Sequence, residues 1–364
     1  MLATASRFAA THPGIRIEWE ARSLQGFADN PIRQLAEQFD LIVLDHPFMG
    51  TVARDGYLLP LDDHVPSEVL ATLHNESMGA SHETYRYSGH QWSLAIDAAA
   101  QVAGYRPDLL KAAGATVPKT WDEVLALSRI RRGFVTTPLL PVDALCSFFT
   151  LCASSGEPPF APGSGKIVSD QTGESALHLL NSLADCASAE TLEWNPIKVW
   201  EKMSTTDEIA FCPLGFGYSN YARPAYRRFP LHFTNIPSHG RGSAGAVLGG
   251  AGLAISARCK EISTAVEYAA WVASSECQRT LYVQSGGQPG NRKAWIDPEV
   301  NNTCNHFFEA TLATLEQAYV RPRFPGFVEF QTQASLLIGD FLHKKNNSAI
   351  TLRLLNDCYR GWGF

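Results

Sequence analysis

Pro31-Ile32-Arg33-Gln34-Leu35-Ala36-Glu37-Gln38-Phe39, running straight into Asp40-Leu41-Ile42-Val43-Leu44-Asp45, is the stretch that decides the fold. In its first part Ile32, Leu35, Ala36 and Phe39 recur at helical spacing. Its second part is a short apolar run between two acids, which suits a strand buried on both faces, as in a parallel sheet. A helix feeding such a strand is the alternation of an open α/β sheet. Ligands of these sheets bind beyond the carboxyl ends of the strands. Asp45-His46-Pro47 follows the run directly and is therefore the first candidate site.

Upstream, Ala3, Phe8 and Ala9 are spaced for one helical face, and His12-Pro13-Gly14 stops that helix. Ile15-Arg16-Ile17-Glu18-Trp19-Glu20 then alternates apolar and polar residues as a half-buried strand does. Downstream, Gln91 to Ala99 ends a strand at Asp97, and Pro107 opens a helix. Thr120 with Glu123 three residues on predicts a capping box. Residues 154–169, rich in Gly, Ser and Pro, read as a loop. Helical spacing returns over 174–183, and 207–218 reads as a strand entering a glycine and aromatic loop. Six glycines fall between 240 and 252, ahead of the strand Leu253-Ala254-Ile255-Ser256. An amphipathic helix carrying Ala265, Ala269, Trp271 and Val272 follows.

A chain of 364 residues is long for one core and predicts two domains. A net charge of -6 argues against nucleic acid or an anionic membrane as partner. No run approaches the roughly 20 apolar residues of a membrane helix, and the start shows no basic stretch followed by an apolar one, so no signal peptide is legible. The eight cysteines stand singly, without zinc spacing, and read as small buried hydrophobes. The eleven histidines are scattered without metal spacing, and no catalytic nucleophile or nucleotide motif is present. No cofactor or metal is expected.

Taken in order, several blocks resemble the extracellular solute-binding proteins of the maltose-binding type (family 1). They are the helix-strand start, Asp40–Asp45, Trp92-Ser93-Leu94-Ala95-Ile96-Asp97, Pro118-Lys119-Thr120-Trp121-Asp122-Glu123, Gly249–Ser256, the helix 265–274 and Gly286-Gly287-Gln288-Pro289-Gly290. The resemblance implies a two-lobed α/β periplasmic-binding-protein type II fold with an interlobe cleft and hinge closure. It implies crossings near 98–104, 244–249 and 320–325. One lobe is then 1–100 plus 248–320, the other 101–247 plus 321–364. It also implies a small polar ligand such as a sugar or polyol, ABC permease subunits as partners, and a periplasmic setting. Family members begin with a strand before the first helix, whereas this chain opens in the helix. An upstream truncation accounts for both that strand and the signal peptide. In that case the sheet lacks a central strand and an edge is exposed near Ile15–Trp19. A cytoplasmic variant is the alternative.

Each candidate residue has two readings. Asp45 and His46 either accept ligand hydroxyls or cap the next turn. Asp97 is placed by the resemblance among ligand or hinge residues. Trp92, Trp194, Tyr221 and Trp295 read singly as core. Phe216 and Tyr218 stand in the glycine-punctuated Pro213-Leu214-Gly215-Phe216-Gly217-Tyr218, where the family carries its cleft aromatic. Gly249 and Gly250 suit a lobe crossing with close ligand approach. Gln288 either faces the ligand or belongs to a helix-terminal turn. Arg323 of Arg321-Pro322-Arg323 either forks onto a carboxylate or phosphate or makes salt bridges in a hinge segment. Two functional readings result: a binding protein that delivers a carbohydrate to a permease, and an enzyme or cytoplasmic sensor on the same scaffold, such as a carboxylate-pair hydrolase or an organic-acid receptor.

Overall fold

A computed structural model describes residues 1–22, 32–240, 242 and 244–362. Two compact units account for them. Unit 1 comprises Met1–Ala98, Gly249–Val300 and Pro322–Phe327; unit 2 comprises Ala99–Leu248, Asn301–Arg321 and Val328–Phe364.

The strands are β1 (Leu41–Leu44), β2 (Arg86–Tyr87), β3 (His90–Gln91), β4 (Leu94–Tyr105), β5 (Phe211–Phe216), β6 (His232–Thr234) and β7 (Leu248–Ile255). In unit 1, β1 pairs with β7 in antiparallel register, Leu44 opposite Gly252, and β7 pairs with the first part of β4. The expectation of a parallel neighbour for β1 is thereby corrected. What holds is burial on both faces. Val43, Leu253, Leu94 and Ile96 join one apolar cluster with Phe8, Ala269 and Val272, while Ile42, Leu44, Ala254 and Ala95 join another with Ile32, Leu35 and Met49. The alternation of side chains along each strand delivers successive residues to opposite helical layers. The helix Ile262–Ala273 buries Ala265, Val266, Tyr268, Ala269 and Val272, the 3.6-residue stripe of a helix lying on a sheet.

Ile15 to Glu20 forms no ladder with any described strand. Its alternation reflects burial alone: Ile15, Ile17 and Trp19 pack on the first cluster while Arg16, Glu18 and Glu20 face solvent. β1 is consequently an end of the sheet among the described residues, and Arg22 Nη2 donates to the Val43 carbonyl at 2.9 Å.

In unit 2 the later part of β4 pairs antiparallel with β5 and β6. Gly104 and Gly215 lie against the Trp200 indole, where a Cβ on either would sit 2.6 Å from a ring carbon. The same indole donates to the Phe216 carbonyl at 2.8 Å. The helix Pro141–Ser154 packs on Asp170–Cys186, which packs in turn on Ser348–Gly361. Arg106, buried, is satisfied by Asp108, Asp207 and the carbonyls of Met203 and Thr206, and its guanidinium lies 3.8 Å from the Phe229 ring centre.

Residues 301–321 belong to unit 2, which corrects their assignment to the lobe 248–320. Phe307 packs edge-on to Phe233 with ring centres 4.9 Å apart, and both the nitrogen and the hydroxyl of Thr314 donate to Asn235 Oδ1. Tyr319 exchanges backbone bonds with Ala246 and Leu248. Residues 322–327 belong to unit 1, where the backbone of Arg323–Pro325 crosses Gly50 too closely for any side chain there.

The Thr120–Glu123 capping box is present, and six of the eight cysteines are buried. No described helix is long and apolar enough to cross a membrane.

Candidate functional site

Seven of the nine candidate residues lie in unit 1. β7 runs between β1 and β4. Its contacts with β4 descend as β4 ascends, Gly250 against Asp97 and Val247 against Gln101, so β1 and β4 point the same way. Asp45 follows the last residue of β1, and Asp97 lies in β4 at the matching level. Asp45 Oδ1 accepts from the His46 nitrogen at 2.7 Å and lies 2.9 Å from His46 Nδ1. Asp45 thus caps the turn His46–Phe48 and still presents a half-buried carboxylate. His46 is buried, with its ring edge-on to Tyr85. Asp97 is half-buried, and its carboxyl is pushed up to about 7, first by desolvation and second by the negative charge of Asp45.

The glycines here serve close approach. Gly249 to Gly252 lie inside β7, which begins at Leu248 rather than at Leu253 as the sequence suggested. Gly250 has φ +128°, and a Cβ on it would stand 2.5 Å from the Asp97 carbonyl oxygen. From the other side, the turn 286–290 is fastened to β4. Gln288 Nε2 donates to the Ala98 carbonyl at 2.9 Å, Trp295 Nε1 donates to the Pro289 carbonyl at 2.7 Å, and a Cβ on Gly290 would meet the Ala95 carbonyl at 3.1 Å. Gln288 therefore has a structural bond whatever its role toward a ligand.

Arg323 Nη1 donates to the carbonyls of Glu83, Thr84 and Arg86 at 2.8–2.9 Å. The bonds are to backbone of its own unit, where the sequence reading offered a ligand anion or hinge salt bridges.

Phe216 and Tyr218 belong to unit 2. Phe216 ends β5 opposite Gln101, and both rings are half-buried on either side of buried Gly217. A Cβ on Gly217 would stand 2.7 Å from Val102 Cγ2 and 2.9 Å from Phe307 Cζ. Gly215 and Gly217 are thus packing glycines, and Gly215 lies within β5 rather than in the loop the sequence suggested. Trp92, Trp194, Tyr221 and Trp295 are buried.

Three features escaped the sequence reading. Asp143, in the first turn of the helix Pro141–Ser154, is buried without an ion pair among the described residues, and burial pushes its carboxyl up to about 7. Gln278–Tyr282 is a π-helical turn that points Gln278 at the Ile96 carbonyl and buries the Tyr282 phenol near Asp97. Asp62, Asp63 and His90 bring ligand atoms within 4.8 Å of one another, though Asp62 is already bonded to the Gln91 nitrogen and the His90 ring. Sequence spacing hides this group because the β2–β3 hairpin closes it.

Residues 3–307 match the family described as bacterial extracellular solute-binding protein. The chain belongs to that family. By family it is a solute-binding protein. Solved structures of the same fold include maltose-bound MalE3 of T. maritima, at 18% identity and a TM-score of 0.81, covering 97% of this chain and 93% of that one. An ABC-transporter solute-binding protein from Thermotoga lettingae bound to α-D-tagatose matches at 17% identity and a TM-score of 0.84 over 98% and 93%. UgpB from Mycobacterium tuberculosis in complex with glycerophosphocholine matches at 15% identity and a TM-score of 0.77 over 97% and 92%. Carboxylates such as those of Asp45 and Asp97 can accept several hydrogen bonds at once from donor groups.

Proposed function

We propose that this solute-binding protein captures a small polyhydroxylated molecule in the periplasm and presents it to the permease subunits of an ABC importer. Asp45, His46 and Asp97 supply polar contacts, Gly249 and Gly250 allow close approach, and Phe216 and Tyr218 supply an apolar ring face. Gln288 and Arg323 hold the surrounding backbone and offer their remaining polar groups. The observation that carries this reading is the pair of carboxylates at matching levels of β1 and β4, with the glycines of β7 between them. A sugar satisfies such acceptors with hydroxyl donors and covers an aromatic ring with its C–H face. Maltose and tagatose in similar structures support this ligand class.

A thermal-shift screen over sugars, polyols and sugar acids tests it. A ligand bound only by the folded state raises the melting temperature, so at least one sugar or polyol should do so in a saturable manner. A screen in which only sugar acids act would overturn the proposed ligand class.

A further inference from the structure

Residues 76–82 and 290–293 of unit 1 are fastened to each other through polar bonds. Ser77 and Asn291 form an antiparallel bridge, the Met78 nitrogen donates to the Gly290 carbonyl at 2.8 Å, and the Arg292 nitrogen donates to the Glu76 carbonyl at 2.7 Å. The Glu76 carboxylate clamps the same join, accepting from Asn291 Nδ2 at 3.1 Å and from Lys293 Nζ at 2.5 Å. Beside this join lies buried His82. Its nitrogen donates to Ser77 Oγ at 2.8 Å and its carbonyl accepts from Gln91 Nε2 at 3.1 Å, so its backbone is held. Its ring makes no hydrogen bond or ion pair with any described residue. The ring lies edge-on to His74 at 5.7 Å, and His82 shares with Ser77, Gly290 and Asn291 the lining of a cavity of about 10 Å³, room for one water at most.

We propose that His82 is an acid-sensitive catch: a proton added to its ring frees residues 290–293 from residues 76–78 and loosens the turn 286–290 that carries Gln288. The device is internal to unit 1 and operates with any solute or none. A neutral imidazole is tolerated in such a space, whereas an imidazolium loses most of its hydration and meets no carboxylate among the described residues. The charged groups around it do not compensate. His74, from the helix Ser67–Asn75, and Arg86, from β2, oppose a second positive charge. Glu83 lies toward His74, at 3.9 Å, and Glu76 is committed to Asn291 and Lys293. Burial first, then His74 and Arg86, hold the ring at about 4. The closed form is therefore fully favoured above pH 6.5 and loses ground as pH falls toward 4, because the proton is taken up only where the ring reaches water. Leu73, Ala273 and Ala95, which complete the cavity wall, belong to the apolar clusters of the unit. Gly290 and Asn291 are the part of the wall held by polar bonds, and they are the part that gives.

Hydrogen exchange of the full chain without ligand, resolved to single amides and corrected for the intrinsic chemical rate, tests this at pH 7.5 and 5.5. Glu76 stays ionised across that window, since its bonds to Lys293 and Asn291 outweigh its burial and hold it below the ordinary carboxylate range. The reporters are the Met78 and Arg292 amides. We expect their protection to fall about tenfold from pH 7.5 to 5.5. At both values it should stay below that of the Leu59 amide, which bonds to the Ile255 carbonyl in the same unit. His82→Gln should abolish the fall. Lys293→Met, which cuts the clamp on Glu76, should lower protection at both pH values and keep the tenfold ratio. A change of less than about twofold in the wild type overturns the proposal, as does a fall that survives in His82→Gln. Equal protection of Leu59 and the reporters at pH 5.5 overturns it too, because unit 1 would then open as a whole. Lys293→Met exchanging like wild type would place the opening elsewhere. Should His82→Gln fail to fold, the wild type and Lys293→Met still decide.

Discussion

Gln288 Nε2 donates to the carbonyl oxygen of Ala98 at 2.9 Å, tying the turn 286–290 to β4 one residue beyond Asp97. The bond is buried, so its loss is expensive whether or not Gln288 also meets a ligand. Removing one partner of a buried hydrogen bond costs about 1–3 kcal/mol. Gln288→Ala should therefore lower unfolding stability by that amount in urea titrations without ligand. A variant as stable as wild type would mean the side chain serves the ligand alone.

Gly250 combines a left-handed-side φ of +128° with a Cβ position 2.5 Å from the Asp97 carbonyl oxygen. Strain and collision act together at this position, and each cost is of order 1–3 kcal/mol. Gly240 also has a positive φ, +81°, but open space around it. We expect Gly250→Ala to destabilise by about 2 kcal/mol or more and Gly240→Ala by about 1 kcal/mol. Equal losses at the two sites would show that crowding at Asp97 contributes nothing.

The pH dependence should differ in sign between two buried groups. His82 is 5% exposed, and its pKa falls from 6.5 to about 4 through burial first and the positive charges of His74 and Arg86 second. A depressed imidazole is stabilising above pH 6.5, and that contribution is lost as pH falls toward 4, on the order of 3 kcal/mol in all. Asp143 moves the other way. Its pKa rises from 3.8 to about 7, so unit 2 is most favoured below pH 4 and loses stability as pH rises through 7. Denaturant titrations at pH 4.5 and 8 separate the two. His82→Asn should narrow the gap to wild type at low pH, and Asp143→Asn should stabilise at pH 8 with little change at 4.5. Either variant tracking wild type at both pH values contradicts its assignment.

How far the sequence reached depends on whether each feature is local. The capping box at Thr120 is local: Thr120 Oγ1 accepts from the Glu123 nitrogen, while Glu123 accepts from the nitrogens of Lys119 and Thr120. Thr120→Ala should accordingly cost about 1 kcal/mol, read as a shift of the urea midpoint. The buried strand β1 was legible because four apolar residues between acids leave no polar face. Ile15–Glu20 misled because alternation records burial, whereas a ladder needs a partner that sequence spacing does not name. The placement of 301–321 turned on Phe307 meeting Phe233 and Thr314 meeting Asn235, contacts some 75 residues apart. Asp143 stayed hidden because nothing beside an aspartate in a helical first turn announces that it is buried.

The candidate site makes the most direct demand. Phe216 is held by the bond from Trp200 to its carbonyl and by pairing with Gln101, so its ring is positioned by a rigid strand rather than by a mobile loop. Truncating it removes apolar surface that the bound solute would cover, but the half-buried ring contributes little to the core of unit 2. Asp45 differs: its carboxylate caps the turn His46–Phe48 as well as facing the candidate site. Asp45→Asn keeps an oxygen for the cap while removing the charge, and it is the cleaner probe. We expect Phe216→Ala and Asp45→Asn each to weaken binding of the sugar found in the screen by about 1–3 kcal/mol, the range for losing a central aromatic contact or a charged hydrogen-bond partner. Melting temperatures without ligand should move by no more than a few degrees. Calorimetry of both variants against that sugar decides the assignment: affinities equal to wild type in both would place the site elsewhere on the molecule.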